Sequence, residues 1–168
     1  MHGKTRRRPS SEFGTQLLEK QKIKFTYGLT ERQLQKYFDE TKRKKGITED
    51  LLLGVLEKRL DNAIYRSGLA GSRTTARQLV THGHFLVNNK KVTIPSYSVK
   101  LGDIIAIKTK SRPKAMFFDL ENKLKKHESP AWLAVNKKDL DIAVKAAPQT
   151  GDLPKNFNMK VVIAYYSK

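Results

Sequence analysis

Apolar and polar positions follow more than one rhythm along the chain, and each change of rhythm marks an expected change of element. From Ser11 to about Phe25 the spacing is helical; Ser11 is placed to cap, and Glu12 suits the positive end of the helix dipole. Gly28 interrupts the pattern. Thr30 then opens "TERQ", a capping box in which Gln33 reaches back to the cap. The helix that follows sets Leu34, Tyr37 and Phe38 on one face. It runs out in "KRKKG", where cations suit the negative helix end and Gly46 can take a left-handed cap. Thr48 is expected to cap a third helix reaching roughly Arg66. Its apolar positions Leu51, Leu52, Val55, Leu56, Leu60 and Ile64 make a stripe wide enough for a core helix.

Gly68 and Gly71 allow a tight loop, and Ser72 is a good N-cap for "RTTARQLVTH". In that helix Ala76, Leu79 and Val80 face inward, while Gln78 and His82 fall on the exposed side. Gly83 ends it, and the period drops to two. "HFLVNNKKVTI" predicts a hairpin whose turn, Asn88-Asn89, tolerates positive φ. Pro95 interrupts pairing, and "LGD" at 101–103 turns the chain into "IIAIK". Three or four short antiparallel strands are expected here, one face packed on the preceding helices. A further helix is predicted over roughly 114–126, with Met116, Phe117, Leu120 and Leu124 inward, then strands near 132–135 and 140–145. "MKVVIAYYSK" reads as a closing strand, buried against the sheet or back against the N-terminal helices.

The fold class is therefore α+β: an N-terminal helical part, then helices packed on a small antiparallel sheet. The expected organisation is a basic tail and helices over 1–48, an α+β domain over 49–156 with its core module at 57–107, and a C-terminal strand over 157–168.

Charge changes the picture most. Among 168 residues, Lys and Arg number 34 against 16 Asp and Glu, giving a net charge of +18 and a pI near 10.1. Such an excess repels itself in a compact fold unless a polyanion neutralises it. Nucleic acid leads; an anionic membrane surface fits badly, because no apolar run is long enough to span a bilayer and the cations are spread over the whole chain. No signal-peptide pattern is visible, and with no cysteine there are no disulfides and no cysteine-held zinc. A reducing, intracellular setting fits.

Catalytic chemistry is not called for. There is no glycine-rich nucleotide loop, no cysteine nucleophile and no carboxylate pair that stands out. His82 and His84 flank Gly83 and would point the same way in an extended segment, but further metal ligands are not close in sequence. No cofactor is expected.

Binding chemistry is better represented. Arg59, Asn62 and Arg66 recur at i, i+3 and i+7 beside the apolar stripe of the third helix. Their structural alternative is pairing with a carboxylate such as Asp61. Arg73 and Arg77, one turn apart, flank a helix start whose free backbone N–H groups suit phosphate. Tyr27, Tyr97, His82 and His84 are candidates for stacking or hydrogen bonding, and a folded RNA read by shape suits this surface better than a short sequence motif.

The stretch "RLDNAIYRSGLAGSRTTARQLVTHGHFLVNNKKVTIPSYSVKLGDII" closely resembles the RNA-binding module named after the fourth protein of the small ribosomal subunit. Such modules also occur in RNA-modifying enzymes and in free-standing proteins that act on ribosomal particles, and both remain alternatives for the module alone. The flanks "SEFGTQLLEKQKIKFTYGLTERQLQKYF", "SPAWLAV" and "AYYSK" resemble the ribosomal protein family itself. The resemblance implies a non-enzymatic component of the small subunit. It implies binding to small-subunit rRNA at a junction in the 5′ domain early in assembly, with contacts to neighbouring small-subunit proteins. It also implies a part in decoding accuracy and a place near incoming mRNA, in the cytoplasmic ribosome of a bacterium or in an organellar ribosome. Family members usually carry a further segment ahead of the position of His2-Gly3, sometimes with zinc-binding cysteines, and that segment is missing here.

On this reading the RNA-contact residues in the module are Arg59, Arg66, Arg73, Arg77, Gln78, His82, Lys90 and Lys91. Outside it they are Arg6, Arg7, Arg8, Lys20, Lys22, Lys24 and Arg32, the first three falling in the region comparable to the family's mRNA-lining residues.

Overall fold

Local capping sets the first two helices. In a computed structural model, which describes residues 11–149 and 157–167, α1 (Glu12–Thr26) starts on Ser11, whose hydroxyl accepts from the Gly14 amide at 3.1 Å. α2 (Glu31–Lys42) starts on Thr30 with the full reciprocal box: the Gln33 amide donates to Thr30 Oγ1 at 3.3 Å, and the Thr30 amide donates to Gln33 Oε1 at 3.0 Å. Each cap satisfies backbone donors that the helix cannot, worth about 1 kcal/mol.

The third predicted helix is two helices. α3 (Thr48–Glu57) and α4 (Leu60–Arg66) are separated at Lys58 and Arg59, where Arg59 is extended with ψ 137°. The loop over 95–99 causes the break. Leu60 and Asp61 donate their amides to the carbonyls of Tyr97 and Pro95, at 2.8 and 3.1 Å, and Val99 donates to Lys58 at 2.8 Å. Backbone groups that a continuous helix would have paired internally are satisfied by a distant segment instead. Thr48 is the first helical residue of α3 and makes no cap; Ile47 occupies that position without a side-chain bond.

α5 (Arg73–Thr81) buries Ala76, Leu79 and Val80 as expected. The sheet contains β1 (Phe85–Val87), β2 (Lys90–Lys91), β3 (Ile104–Ile107), β4 (Leu133–Asn136) and β5 (Asp141–Val144), all pairs antiparallel, in the order β2-β1-β3-β5-β4. Asn88 and Asn89 take φ of 49° and 63°, the geometry of a tight hairpin turn. One sheet face (Phe85, Val87, Ile105, Ile107, Ile142, Val144) is buried with Leu60, Ile64, Leu79, Val80 and Trp132 in one core.

The helix predicted over 114–126 is shorter than expected. A 3₁₀ turn, Ala115–Phe117, is followed by Asp119 at φ 60°, and only then by α6 (Leu120–Lys125). Phe117, Leu120 and Leu124 are buried, but Met116 is half exposed, because the break at Asp119 swings it off the apolar face.

The closing strand expected over 157–168 is a helix among the described residues. α7 (Met159–Tyr166) starts on Asn158, whose Oδ1 accepts from the Val161 amide at 3.3 Å. Its β-branched run suits a strand by propensity, but α1 and α3 offer an apolar surface that Met159 and Val162 fill at helical spacing. Tertiary packing overrides the local preference. Together with Ile23, Tyr27, Leu34, Phe38, Leu52 and Leu56 they form a second core, beside that of the sheet.

Candidate nucleic-acid interface

The predicted contact arginines of the module differ in how far they reach solvent. Arg59 is 1% exposed. Its Nε and Nη2 donate to the two carboxylate oxygens of Asp61 at 3.0 and 2.7 Å, and Nη1 donates to Tyr37 Oη at 2.8 Å. Burial works against the cation, yet Asp61 and Tyr37 outweigh it and raise the Arg59 pKa. This guanidinium is withdrawn from the surface because Asp61, two residues on, completes a bidentate pair with it.

Arg66, Arg73 and Arg77 are partly exposed but each has an internal partner. Arg66 Nε donates to Glu57 Oε2 at 3.1 Å, and Tyr27 donates its hydroxyl to Glu57 Oε1 at 2.6 Å. Glu57 is fully buried; burial first, then its charge, pushes the Tyr27 phenol well above its ordinary range. Arg73 Nε donates to Asn62 Oδ1 at 2.8 Å, and Asn62 Nδ2 donates to the Glu57 carbonyl at 3.0 Å. The Arg73 guanidinium lies over Tyr27 and Tyr65, 4.8 and 4.4 Å from their ring centroids. Arg77 Nη1 donates to the Gly28 carbonyl at 2.6 Å. A continuous polar seam thus ties α5 and α4 to α3 and to the turn after α1.

The start of α5 is capped by Ser72, whose Oγ accepts from the Thr75 amide at 3.1 Å. Arg73 and Arg77 stand beside this start, both partly exposed. Gln78 and His82 are exposed along the same helix, and Lys90 and Lys91 are exposed on the hairpin. These side chains share the α5–hairpin side of the module. The Lys91 stem lies across Gly83, where φ is 70°; a Cβ there would sit 2.2 Å from Lys91 Cε. His82 and His84 do not point the same way. His82 is exposed at the helix end, whereas His84 is buried beyond the positive-φ glycine and shares a 2.9 Å hydrogen bond between Nδ1 and Ser111 Oγ.

On α1 the lysines meet carboxylates. Lys20 is buried, 2.7 Å from Glu31 Oε1 and 4.6 Å from the Tyr165 ring centroid. Lys24 lies 3.6 Å from Glu31 Oε2, and Lys22 pairs with Glu19. Burial opposes the Glu31 carboxylate, but Lys20, Tyr166 and Lys24 prevail and lower its pKa. Lys20 is therefore an internal tie between α1, α2 and α7, since its ammonium is enclosed by groups from all three. Arg32 is exposed on α2, while Arg6, Arg7 and Arg8 lie outside the described residues.

Glu57 and Tyr65 are the members of the seam passed over in the sequence, and Tyr37, expected on the apolar face of α2, accepts from Arg59. A carboxylate inside the apolar stripe of an arginine-flanked helix was the available signal. Tyr27 faces this interior rather than solvent. Among the described residues no group of three or more potential metal ligands is brought together, and no helix is long and apolar enough to cross a membrane.

Sequence comparison is specific. The ribosomal protein S4/S9 N-terminal domain family matches residues 1–57, and the S4 domain family matches residues 58–105. A small ribosomal subunit protein uS4 from Borreliella burgdorferi (strain ZS7) is 47% identical over 169 residues, spanning 100% of this chain and 81% of that protein. One from Chloroflexus aurantiacus (strain ATCC 29366 / DSM 635 / J-10-fl) is 44% identical over 165 residues, spanning 97% of this chain and 80% of that protein. With both family domains in tandem and this identity along the whole chain, the protein belongs to the ribosomal protein S4 family.

Proposed function

We propose that the protein is a structural, non-catalytic component of the small subunit of the bacterial ribosome and binds its rRNA directly, as a primary binder at a helix junction of the 5′ domain. The observation that carries this reading is the outward cationic side of α5 and the hairpin (Arg73, Arg77, Gln78, His82, Lys90, Lys91), held by a buried seam. Positions fixed before binding need little ordering when phosphates arrive, which favours a folded RNA of defined shape. Arg66 from the module, and Lys22, Lys24 and Arg32 from the helical part, extend the contact. Arg59 and Lys20 support it from inside. Early binding nucleates assembly of the 5′ domain; Arg6, Arg7 and Arg8 fall in the sequence region comparable to the family's mRNA-lining residues, and contact with a neighbouring small-subunit protein contributes to decoding accuracy.

The test is a titration of the full chain against small-subunit 5′-domain RNA, a large-subunit fragment and tRNA over a salt series. With roughly 6–10 phosphate contacts, affinity for the 5′-domain RNA falls by roughly 10³–10⁵ between about 50 and 200 mM salt. Equal affinity for all three RNAs at physiological salt overturns the specific reading.

A further inference from the structure

Three cations stand on a loop that the contact residues above do not include. Lys108 and Lys114 flank the 3₁₀ turn Thr109–Ser111 that follows β3, Lys110 lies within it, and Lys110 and Lys114 are exposed. Among the described residues, none of these three ammonium groups has an ion pair or a side-chain hydrogen bond, whereas Lys20, Lys22, Lys24, Arg59 and Arg66 each meet a carboxylate.

The loop is built rather than loose. Lys108 donates its amide to the His84 carbonyl at 2.8 Å, Ser111 to Lys108 at 2.7 Å, and Lys114 to Ser111 at 3.0 Å. Ser111 is 4% exposed, its hydroxyl bonded to His84 Nδ1 at 2.9 Å, and Arg112 Nη2 donates to the Asp139 carbonyl at 2.6 Å. His84 also meets the Phe117 ring edge to face, 6.0 Å between centroids. The His82 ring lies 6.2 Å from that of His84, so the end of α5 adjoins the same loop. Burial first, and then the charges of Lys114, His82 and Lys108, lower the His84 pKa.

We propose that Lys108, Lys110 and Lys114, with His82, form a second phosphate-binding edge that holds RNA backbone at the end of α5 opposite Arg73. The inference rests on the proposed rRNA-binding function and extends it to a loop outside the matched S4 domain, which ends at residue 105. Lysine ammonium groups act as point charges and carry no fork for reading a base, so the ligand class is the phosphodiester backbone. The nine residues of α5 span about 13 Å. A single RNA strand or helix edge can therefore touch both ends of α5 at once.

The test compares the full chain with Lys108→Gln/Lys110→Gln/Lys114→Gln and with a charge-matched control, Lys123→Gln/Lys125→Gln/Lys126→Gln at the end of α6. Against 5′-domain RNA, the loop variant should reduce the log–log salt slope by about 2–3, and the control by clearly less. Equal reductions would mean diffuse charge only and overturn the proposal. If the unaltered chain shows no preference for 5′-domain RNA, the proposed function fails instead, and the slope difference between the variants still decides the loop. A second measurement uses the absence of native cysteine. Lys110→Cys carrying an iron chelate should cut the bound RNA at a discrete site, and an uncut RNA overturns the proposal.

Discussion

The guanidinium of Arg73 lies over the rings of both Tyr27 and Tyr65, 4.8 and 4.4 Å from their centroids. Tyr27 belongs to the helical core and Tyr65 packs on the core of the sheet, so one cation on α5 rivets the two together. Two ring contacts and the bond to Asn62 make Arg73→Ala destabilising by about 2–4 kcal/mol. Arg73→Lys recovers less than half of that loss, since an ammonium lacks the planar, delocalised cation that serves two rings and Asn62 at once. Urea unfolding midpoints check both; an unchanged midpoint for Arg73→Ala would mean the stacked contacts contribute nothing.

Glu57 is the anionic centre of the same seam. It is fully buried, and its carboxylate accepts from Tyr27 and Arg66. Glu57→Ala should cost about 3–5 kcal/mol, because a phenol and a guanidinium lose their partner together. Glu57→Gln keeps one acceptor and costs less. Denaturant titration of the two variants gives the order; the reverse order would show that Glu57 is tolerated rather than needed.

Stability should decline in two stages as pH falls. His84 has a pKa below its ordinary 6.5, so its neutral form is the folded one. Its contribution is complete above 6.5 and is lost as pH falls from there through its folded value. Glu31 has a pKa below its ordinary 4.5, so its contribution persists above 4.5 and disappears as pH falls through the folded value. Thermal midpoints across this range should show the upper stage vanish in His84→Gln and the lower stage shrink in Glu31→Gln. Unchanged profiles would contradict the assignments.

The hairpin turn separates two neighbouring asparagines. Both have positive φ, 49° at Asn88 and 63° at Asn89. Asn88 also donates to Asp103 Oδ1 at 2.8 Å and accepts from the Ile104 amide at 2.9 Å. Asn89→Gly should therefore stabilise by about 0.5 kcal/mol, removing only a left-handed penalty. Asn88→Gly gives up two hydrogen bonds and should cost about 1–2 kcal/mol. Calorimetric midpoints of opposite sign are the expected readout.

How far the candidate site was legible depends on the range of the interactions that place each residue. Ser72, Gln78 and the Asn88-Asn89 turn stand where the sequence puts them, because capping, helical facing and turn geometry act within a few residues. Tyr27 was legible only as an aromatic beside basic residues. Its interior role needs Glu57 and Arg73, which lie distant in sequence and adjacent in space. Arg59 was legible as one of two alternatives, a surface contact or a partner for Asp61; the extended backbone at its position selects the second.

The sequence by itself determined the local units: two capped helices, the α5 start, the hairpin, the α+β composition, the cationic excess and the tandem family resemblance. These follow from periodicity, capping and turn chemistry, which are short-range. Only the tertiary structure decided that the third helix breaks at Arg59, that the apolar C-terminal run is a helix, and which cations face solvent. Each of those depends on a partner far along the chain: the carbonyls of Pro95 and Tyr97 for the break, the surface of α1 and α3 for α7, the carboxylates of Glu31, Glu57 and Asp61 for the cations. Local preference is worth a few tenths of a kcal/mol per residue, and burial and pairing across the fold outweigh it.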